Sequence, residues 1–244
     1  MKPIVLIPAR MASTRLPGKP LADIAGKPMI VRVWEQAMKA GVGPVVVAAA
    51  EPEIVAVIES AGGRAVLTTP ELPSGSDRIC EALDKVDPNG RHDVIVNLQG
   101  DLPALDPSYV RIVAETLADA GADVATLATE IVDPADRTNP NVPKPIVAWN
   151  ASGDTGRALY FTRATAPHGD GPLYFHIGIY AYTRAALARF VALPPSPLER
   201  REKLEQLRAL EAGMSFAVAR VDSVPLSVDT PADLEKARRL LKSK

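Results

Sequence analysis

The chain has 244 residues, 47% of them hydrophobic and 23% charged, with a formal net charge of −1 at pH 7. That is the make-up of an ordinary soluble globule, large enough for one elaborated α/β domain, and the charge balance excludes the broad basic field that sequence-independent nucleic-acid binding needs. A single cysteine, Cys80, excludes an internal disulfide framework and a thiolate zinc cluster and fits a reducing compartment.

The first apolar run is too short for a signal-peptide core, and no segment approaches the roughly 20 apolar residues of a membrane-spanning helix. The expectation is a cytoplasmic protein with no nucleic-acid or membrane partner. Ile4 to Ile7 reads as a strand buried on both faces, broken at Pro8. The loop that follows carries Arg10, Arg15 and Lys19 among Ser13, Thr14 and Gly18. Ligands of open α/β sheets bind past the carboxyl ends of strands. Arginine forks, a lysine point charge and a glycine that admits close backbone N–H groups suit a polyanion there. On residue content alone, a solvated basic loop fits equally well.

Pro28 is placed as the first residue of a helix whose apolar positions Met29, Ile30, Val33, Trp34, Ala37 and Met38 recur until Gly41. A strand at Pro44 to Ala49, a helix at Glu53 to Ala61 and a strand at Ala65 to Leu67 follow. Ser74 to Arg78 opens a further helix that ends in the Asp87-Pro88-Asn89-Gly90 turn. Val94 to Leu98 reads as a central strand, with Gln99-Gly100-Asp101 leaving its carboxyl end, then a helix at Ser108 to Ala120 and a strand at Val124 to Thr129. This alternation predicts a mostly parallel sheet with helices on both faces.

From Val132 to Tyr174 prolines and asparagines cluster, and strand-like pieces at Ile146 to Trp149 and Ala158 to Phe161 flank a turn. The pattern predicts an inserted antiparallel lobe with long loops at about 132–175, within one domain spanning 1–244. A returning strand at Phe175 to Tyr182, helices at Arg184 to Ala192 and Leu198 to Ala212, and a strand at Phe216 to Val221 follow. Thr230-Pro231-Ala232-Asp233 has the cap, first-turn proline and acid of a helix start.

Neither a G-x-G-x-x-G turn after the first strand nor a G-x-x-x-x-G-K-[ST] loop is present, so phosphates must be held in another way. Asp101 past the central strand and Asp229 before the last helix have the content of a magnesium site, which takes one or two carboxylates and keeps its waters; a turn residue and a helix-terminal acid are the plain alternatives. Cys80 lies on an amphipathic helix and reads as core. Of the histidines, only His176, on an aromatic strand with Tyr180, is placed to line a cleft, and a satisfied core histidine is its alternative.

Several motifs then fall in one order: L-I-P-A-R-M-A-S-T-R-L-P-G-K-P at Leu6 to Pro20, S-G-S-D-R at Ser74 to Arg78, N-L-Q-G-D at Asn97 to Asp101 and Y-F-T-R-A at Tyr160 to Ala164. H-I-G-I-Y at His176 to Tyr180, S-P-L-E at Ser196 to Glu199, L-E-Q-L-R at Leu204 to Arg208 and V-D-T-P-A-D-L-E at Val228 to Glu235 complete the series. The chain thereby resembles, over nearly its whole length, the 3-deoxy-manno-octulosonate (Kdo) cytidylyltransferases within the nucleotidyltransferase superfamily.

The resemblance implies a three-layer, Rossmann-like α/β nucleotidyltransferase fold with a mixed, mostly parallel sheet. It implies an enzyme that joins CTP to Kdo, releasing pyrophosphate, with Mg2+ as cofactor and a homodimer built on the inserted lobe. By the same resemblance Arg10, Lys19, Asp101 and Asp229 are catalytic, the two aspartates holding the metal. Ala9, Arg10, Arg15, Lys19, Ser74 and Arg78 bind the nucleotide, and Gln99, Arg163, His176, Tyr180, Glu205 and Gln206 surround the sugar. Another acidic sugar, or a nucleotide-binding relative without turnover, is the alternative raised by departures from the family pattern at Ala50, Leu102, His168 and Phe175.

Overall fold

The computed structural model describes residues 1–242. These fall into two compact units, one formed by Met1–Arg111 and the segment from Pro225 onward, the other by Ile112–Val224.

In the first unit the chain runs β1 (Pro3–Ala9), β2 (Asp23–Ile24), β3 (Lys27–Pro28), α1 (Met29–Ala40), β4 (Val45–Ala49), α2 (Pro52–Ser60), β5 (Arg64–Leu67), α3 (Gly75–Val86) and β6 (Val94–Asn97), followed by α4 (Pro107–Ala120), in which the boundary falls. Strands β5, β4, β1 and β6 lie side by side in that order, all parallel, with Val5 opposite Val45 and Ile4 opposite Ile95. Parallel strands need crossover connections, and α1, α2 and α3 supply them. Ile4 to Ile7, Val46 to Ala49 and Ile95 to Val96 are almost wholly buried, as strands covered on both faces must be.

The expected break at Pro8 is not there. β1 continues through Pro8 to Ala9, opposite Ala48 and Ala49. In a parallel ladder successive residues face alternate neighbours. Val5 donates toward β4 and Leu6 accepts from the Leu98 side, so Pro8 faces the β6 side, where register ends at Leu6 and Asn97. A residue without an N–H costs nothing at that position. Pro28 is likewise the residue before α1 rather than its first.

The second unit contains β7 (Val124–Glu130), α5 (Pro134–Thr138), β8 (Lys144–Trp149), β9 (Thr155–Thr162), β10 (Tyr174–Thr183), α6 (Arg184–Ala192), α7 (Pro197–Glu202), α8 (Gln206–Glu211) and β11 (Phe216–Arg220). Its strands are ordered β10, β7, β11, β9 and β8. β7 and β11 are parallel and the other pairs antiparallel, so the fold is α/β with a mixed sheet. The antiparallel strands of the proline-rich segment form a hairpin, and its strand β9 pairs with β11. The short helix α5, capped by the Asp133 side chain, went unforeseen because five residues carry too little periodicity to see.

Leu198 to Ala212 is two helices rather than one. α7 begins with a capping box between Ser196 and Glu199 and ends at Lys203, whose φ of 55° is left-handed. Arg208 returns a two-pronged ion pair to Glu199. The S-P-L-E and L-E-Q-L-R motifs thus fix a helix start and lock two short helices together.

The last helix, α9 (Pro231–Lys242), starts as expected: Asp233 N–H donates to Thr230 Oγ1 at 3.2 Å, and Thr230 N–H donates to the Asp233 carboxylate at 3.0 Å. Its Leu234 and Ala237 pack with Ile24, Met29 and Val228. Val228 N–H donates to Asp101 O at 2.9 Å, which brings Asp229 beside Asp101.

Candidate active site

A cleft of about 710 Å³ opens past the carboxyl ends of β1 and β6, lined by Pro8 to Arg10, Arg15, Lys19, Ser74, Arg78 and Gln99 to Asp101 among others. Its floor requires a glycine: a Cβ on Gly100 would meet Pro8 O at 2.8 Å, so the strand-end turn can lie against β1 only without a side chain.

The cationic loop is pinned at Met11. Met11 N–H donates to Glu51 Oε2 at 3.0 Å, and Met11 O accepts from Gly18 N–H at 3.2 Å. Gly18, at φ 69°, then turns the chain into the short 3-10 segment Lys19–Leu21. This delivers the Lys19 ammonium 2.9 Å from Asp101 Oδ2 and 3.1 Å from Asp229 Oδ1. Arg15 Nη2 lies 3.1 Å from the same Asp229 oxygen. Burial alone would lower the lysine's pKa, but the two carboxylates together outweigh it and hold it above its ordinary value. Burial raises the pKa of Asp101, against the pull of Lys19.

One cation therefore touches both carboxylates, so their oxygens converge on a single position. Among the described residues no group of three or more His, Cys, Asp or Glu could hold a metal. Two hard oxygen donors without a protein cage fit an ion that completes its shell with water and substrate phosphates, and do not fit a structural zinc or calcium centre.

Ser74 caps α3, accepting from Asp77 N–H at 3.2 Å, with its own hydroxyl 2.6 Å from the Asp77 carboxylate. Arg78 lines the cleft but is only 2% exposed. Its guanidinium donates to Thr68 Oγ1, Thr69 O and Pro70 O at 2.5, 3.0 and 3.0 Å. It shapes the loop ahead of α3 from behind. Arg10, Arg15 and Gln99 lie along the cleft wall with Ala9.

The residues matched to the sugar are in the second unit, apart from Gln99. His176 is buried, its ring 5.5 Å from Tyr180 and 4.9 Å from Phe161. Burial pushes its pKa down to about 3, so it is neutral. Thr126 Oγ1 lies 3.0 Å from His176 Nε2 and also 2.9 Å from Ile179 O. The hydroxyl's one proton goes to the carbonyl, which leaves Nε2 as the donor and Nδ1 as the acceptor. Burial raises the Tyr180 pKa, and the nearby Glu205 adds to the rise. Gln206 is 7% exposed, and its Nε2 is buried without a hydrogen-bond partner. Such an atom costs about 1–3 kcal/mol unless a ligand supplies an acceptor.

Three supporting residues escaped the sequence reading: Glu51, Thr126 and Glu202. Each is an ordinary residue whose partner lies 39 or more positions away, and no local pattern marks it. The four departures split by burial. Ala50 and Leu102 are buried, Phe175 packs against Ile131, Val142 and Leu173, and His168 is exposed in a loop.

A parallel sheet that ends in a pinned cationic loop, with two acids converging beside it, is the build of an α/β nucleotidyltransferase. The cytidylyltransferase family pattern matches residues 4–216. The chain is 67% identical to the 3-deoxy-manno-octulosonate cytidylyltransferase of Parvibaculum lavamentivorans, over 98% of this chain and 92% of that one. It is 64% identical to the enzyme of the same name from Rhodospirillum centenum, over 98% and 93%. A solved structure of CMP:2-keto-3-deoxy-manno-octonic acid synthetase complexed with CTP superimposes with a TM-score of 0.91 at 39% identity, covering 100% and 99% of the two chains. The chain belongs to the cytidylyltransferase family and, within it, to the 3-deoxy-manno-octulosonate cytidylyltransferases.

Proposed function

We propose that this enzyme transfers the cytidylyl group of CTP to the anomeric hydroxyl of Kdo, for lipopolysaccharide synthesis. The hydroxyl oxygen forms a bond to the α-phosphorus, the bond to pyrophosphate breaks, and the hydroxyl proton is lost. Such transfers depend on positioning and on neutralising charge rather than on covalent help from the protein. The reading is carried by the convergence of Asp101 and Asp229 on one cation, 2.9 and 3.1 Å away, in a chain two-thirds identical to an enzyme of that name.

The division of labour follows from the side chains. Arg10 and Lys19 hold the triphosphate, with Arg15 beside them. Asp101 and Asp229 hold Mg2+, which when bound neutralises phosphate charge and lowers the pKa of the attacking hydroxyl. Ser74 and Arg78 shape the nucleotide side of the cleft. In the second unit His176, Tyr180, Glu205 and Gln206 receive the sugar, and Arg163, whose guanidinium donates to Glu202 O, Pro140 O and Lys203 O, supports them. The enzyme works as a cytoplasmic homodimer; among the described residues no helix is long and apolar enough to cross a membrane.

Pyrophosphate release with CTP and Mg2+ across a panel of acidic sugars tests this reading. Kdo is the expected best substrate; faster release with an amino-Kdo or a sialic-type sugar overturns the acceptor assignment, and loss of none of the activity on chelation overturns the metal.

A further inference from the structure

Within the second unit, segments carrying residues matched to the sugar meet at one set of contacts that uses no ligand. The Glu202 carboxylate accepts from Thr162 Oγ1 at 2.8 Å and from Arg163 N–H at 2.9 Å, which ties the end of β9 to the end of α7. Arg163 returns the bond, its Nε donating to Glu202 O at 2.7 Å and its Nη2 to Lys203 O at 3.3 Å. Those carbonyls belong to the last turn of α7, where a helix runs out of internal donors. The next residues are the left-handed Lys203, buried Leu204, then Glu205 and Gln206. Arg163 Nη1 also donates to Pro140 O at 2.8 Å. The loop bearing Pro140 is held by Lys144, which is 0% exposed and donates to Asn139 O and Val142 O at 2.9 and 2.8 Å. The same loop's Pro143 O accepts from His176 N–H at 3.0 Å.

We infer that Glu202 is a positioning residue for the acceptor sugar: by holding Arg163 against the α7 terminus it fixes the break at Lys203 and, through it, the places of Glu205 and Gln206. The inference rests on the reading of His176, Tyr180, Glu205 and Gln206 as the sugar site. Three observations support a role beyond stability. The break costs helix continuity and a left-handed non-glycine residue, which an uninterrupted helix would avoid. What it delivers is a buried amide, Gln206 Nε2, with no protein partner. And three guanidinium donors of Arg163 are spent on carbonyls of two segments that the break and the loop bring together. A misplacement of about 1 Å in such support costs up to roughly a hundredfold.

The test compares Glu202→Ala, Glu202→Gln and Gln206→Ala in the full chain, measuring KM for Kdo and for CTP separately, with thermal denaturation alongside. Glu202→Ala should raise the KM for Kdo by about tenfold and leave the KM for CTP unchanged. Glu202→Gln keeps one acceptor for Thr162 and should fall between wild type and Glu202→Ala; it carries the test if the alanine variant does not fold. Equal rises in both KM values, or no rise in either, overturn the inference. If Gln206→Ala leaves the KM for Kdo unchanged, the sugar-site reading itself fails. If Gln206→Ala raises it while the Glu202 variants do not, only the positioning role fails.

Discussion

The two units solve opposite electrostatic problems. In the first, the functional groups are ions that reach solvent, the Arg15 and Asp229 side chains 65% and 37% exposed and those of Lys19 and Asp101 17% and 24%, and Lys19 joins the two carboxylates. In the second, they are mainly neutral groups held inside, with His176 and Gln206 at 6% and 7% exposure. A triphosphate can be exchanged for carboxylate partners by ions that already face water. A sugar's hydroxyls need fixed neutral donors and acceptors, and these gain their strength from being dry. Substitutions at the ions of the first unit should therefore act on turnover and CTP, and those at the buried neutral groups of the second on the sugar alone.

The largest effect belongs to Asp101→Asn. It keeps the shape but removes one of two carboxylates, and turnover should fall by roughly a hundredfold or more. Partial burial disfavours the charged form of Asp101, so the melting temperature should move little. Near-normal turnover at limiting Mg2+ would remove the metal assignment and the ionic half of the comparison with it.

Lys19→Met comes next. It leaves Asp101 and Asp229 without their shared cation and the triphosphate without a half-buried charge partner, a loss of about 2–4 kcal/mol by analogy with broken charge-assisted pairs. The KM for CTP should rise by about 30-fold or more on that scale, while the KM for Kdo stays within about twofold. Steady-state kinetics with each substrate varied in turn decides it, and a matched rise in both would mean the two halves are not separable.

The same contrast explains what could be read from the chain. The cationic loop was visible because Arg10, Arg15 and Lys19 crowd into ten residues past a strand end, and Asp101 because it follows a buried strand; both are local signals. The parallel strands of the first unit were visible for the same reason, being short apolar runs between turns. Resemblance alone pointed to Gln206, since a glutamine on a charged helix is ordinary by itself. Its burial comes from the break at Lys203, which no propensity rule predicts for a lysine, because the left-handed turn is held by Arg163 from 40 residues away. Pro8 misled for a related reason: whether proline ends a strand depends on which neighbour that residue faces, and a register is not legible from one strand.

Gln206→Leu sharpens the comparison from the other side. It exchanges a buried, unpartnered amide for an apolar group of similar size, so the folded state should gain about 1 kcal/mol as the KM for Kdo rises about tenfold. Urea denaturation and sugar kinetics on one preparation would show stability and function moving in opposite directions, as expected of a group kept for a ligand. A loss of stability would mean that the amide is satisfied within the protein and that its burial says nothing of a sugar.

The smallest effect is on stability against pH. An unfolded histidine takes up its proton as pH falls through about 6.5, whereas His176 in the folded chain does so only near about 3. Its contribution to stability is thus fully present above about pH 6.5 and is lost as pH falls toward the folded value, with a slope of at most about 1.4 kcal/mol per pH unit. His176→Gln can still donate to Thr126 but does not titrate, so its stability should fall less steeply than that of wild type between about pH 6.5 and 4. Urea denaturation at stepped pH values measures the difference. Parallel curves would mean that His176 titrates alike in both states and is not the dry, neutral ring that its burial indicates.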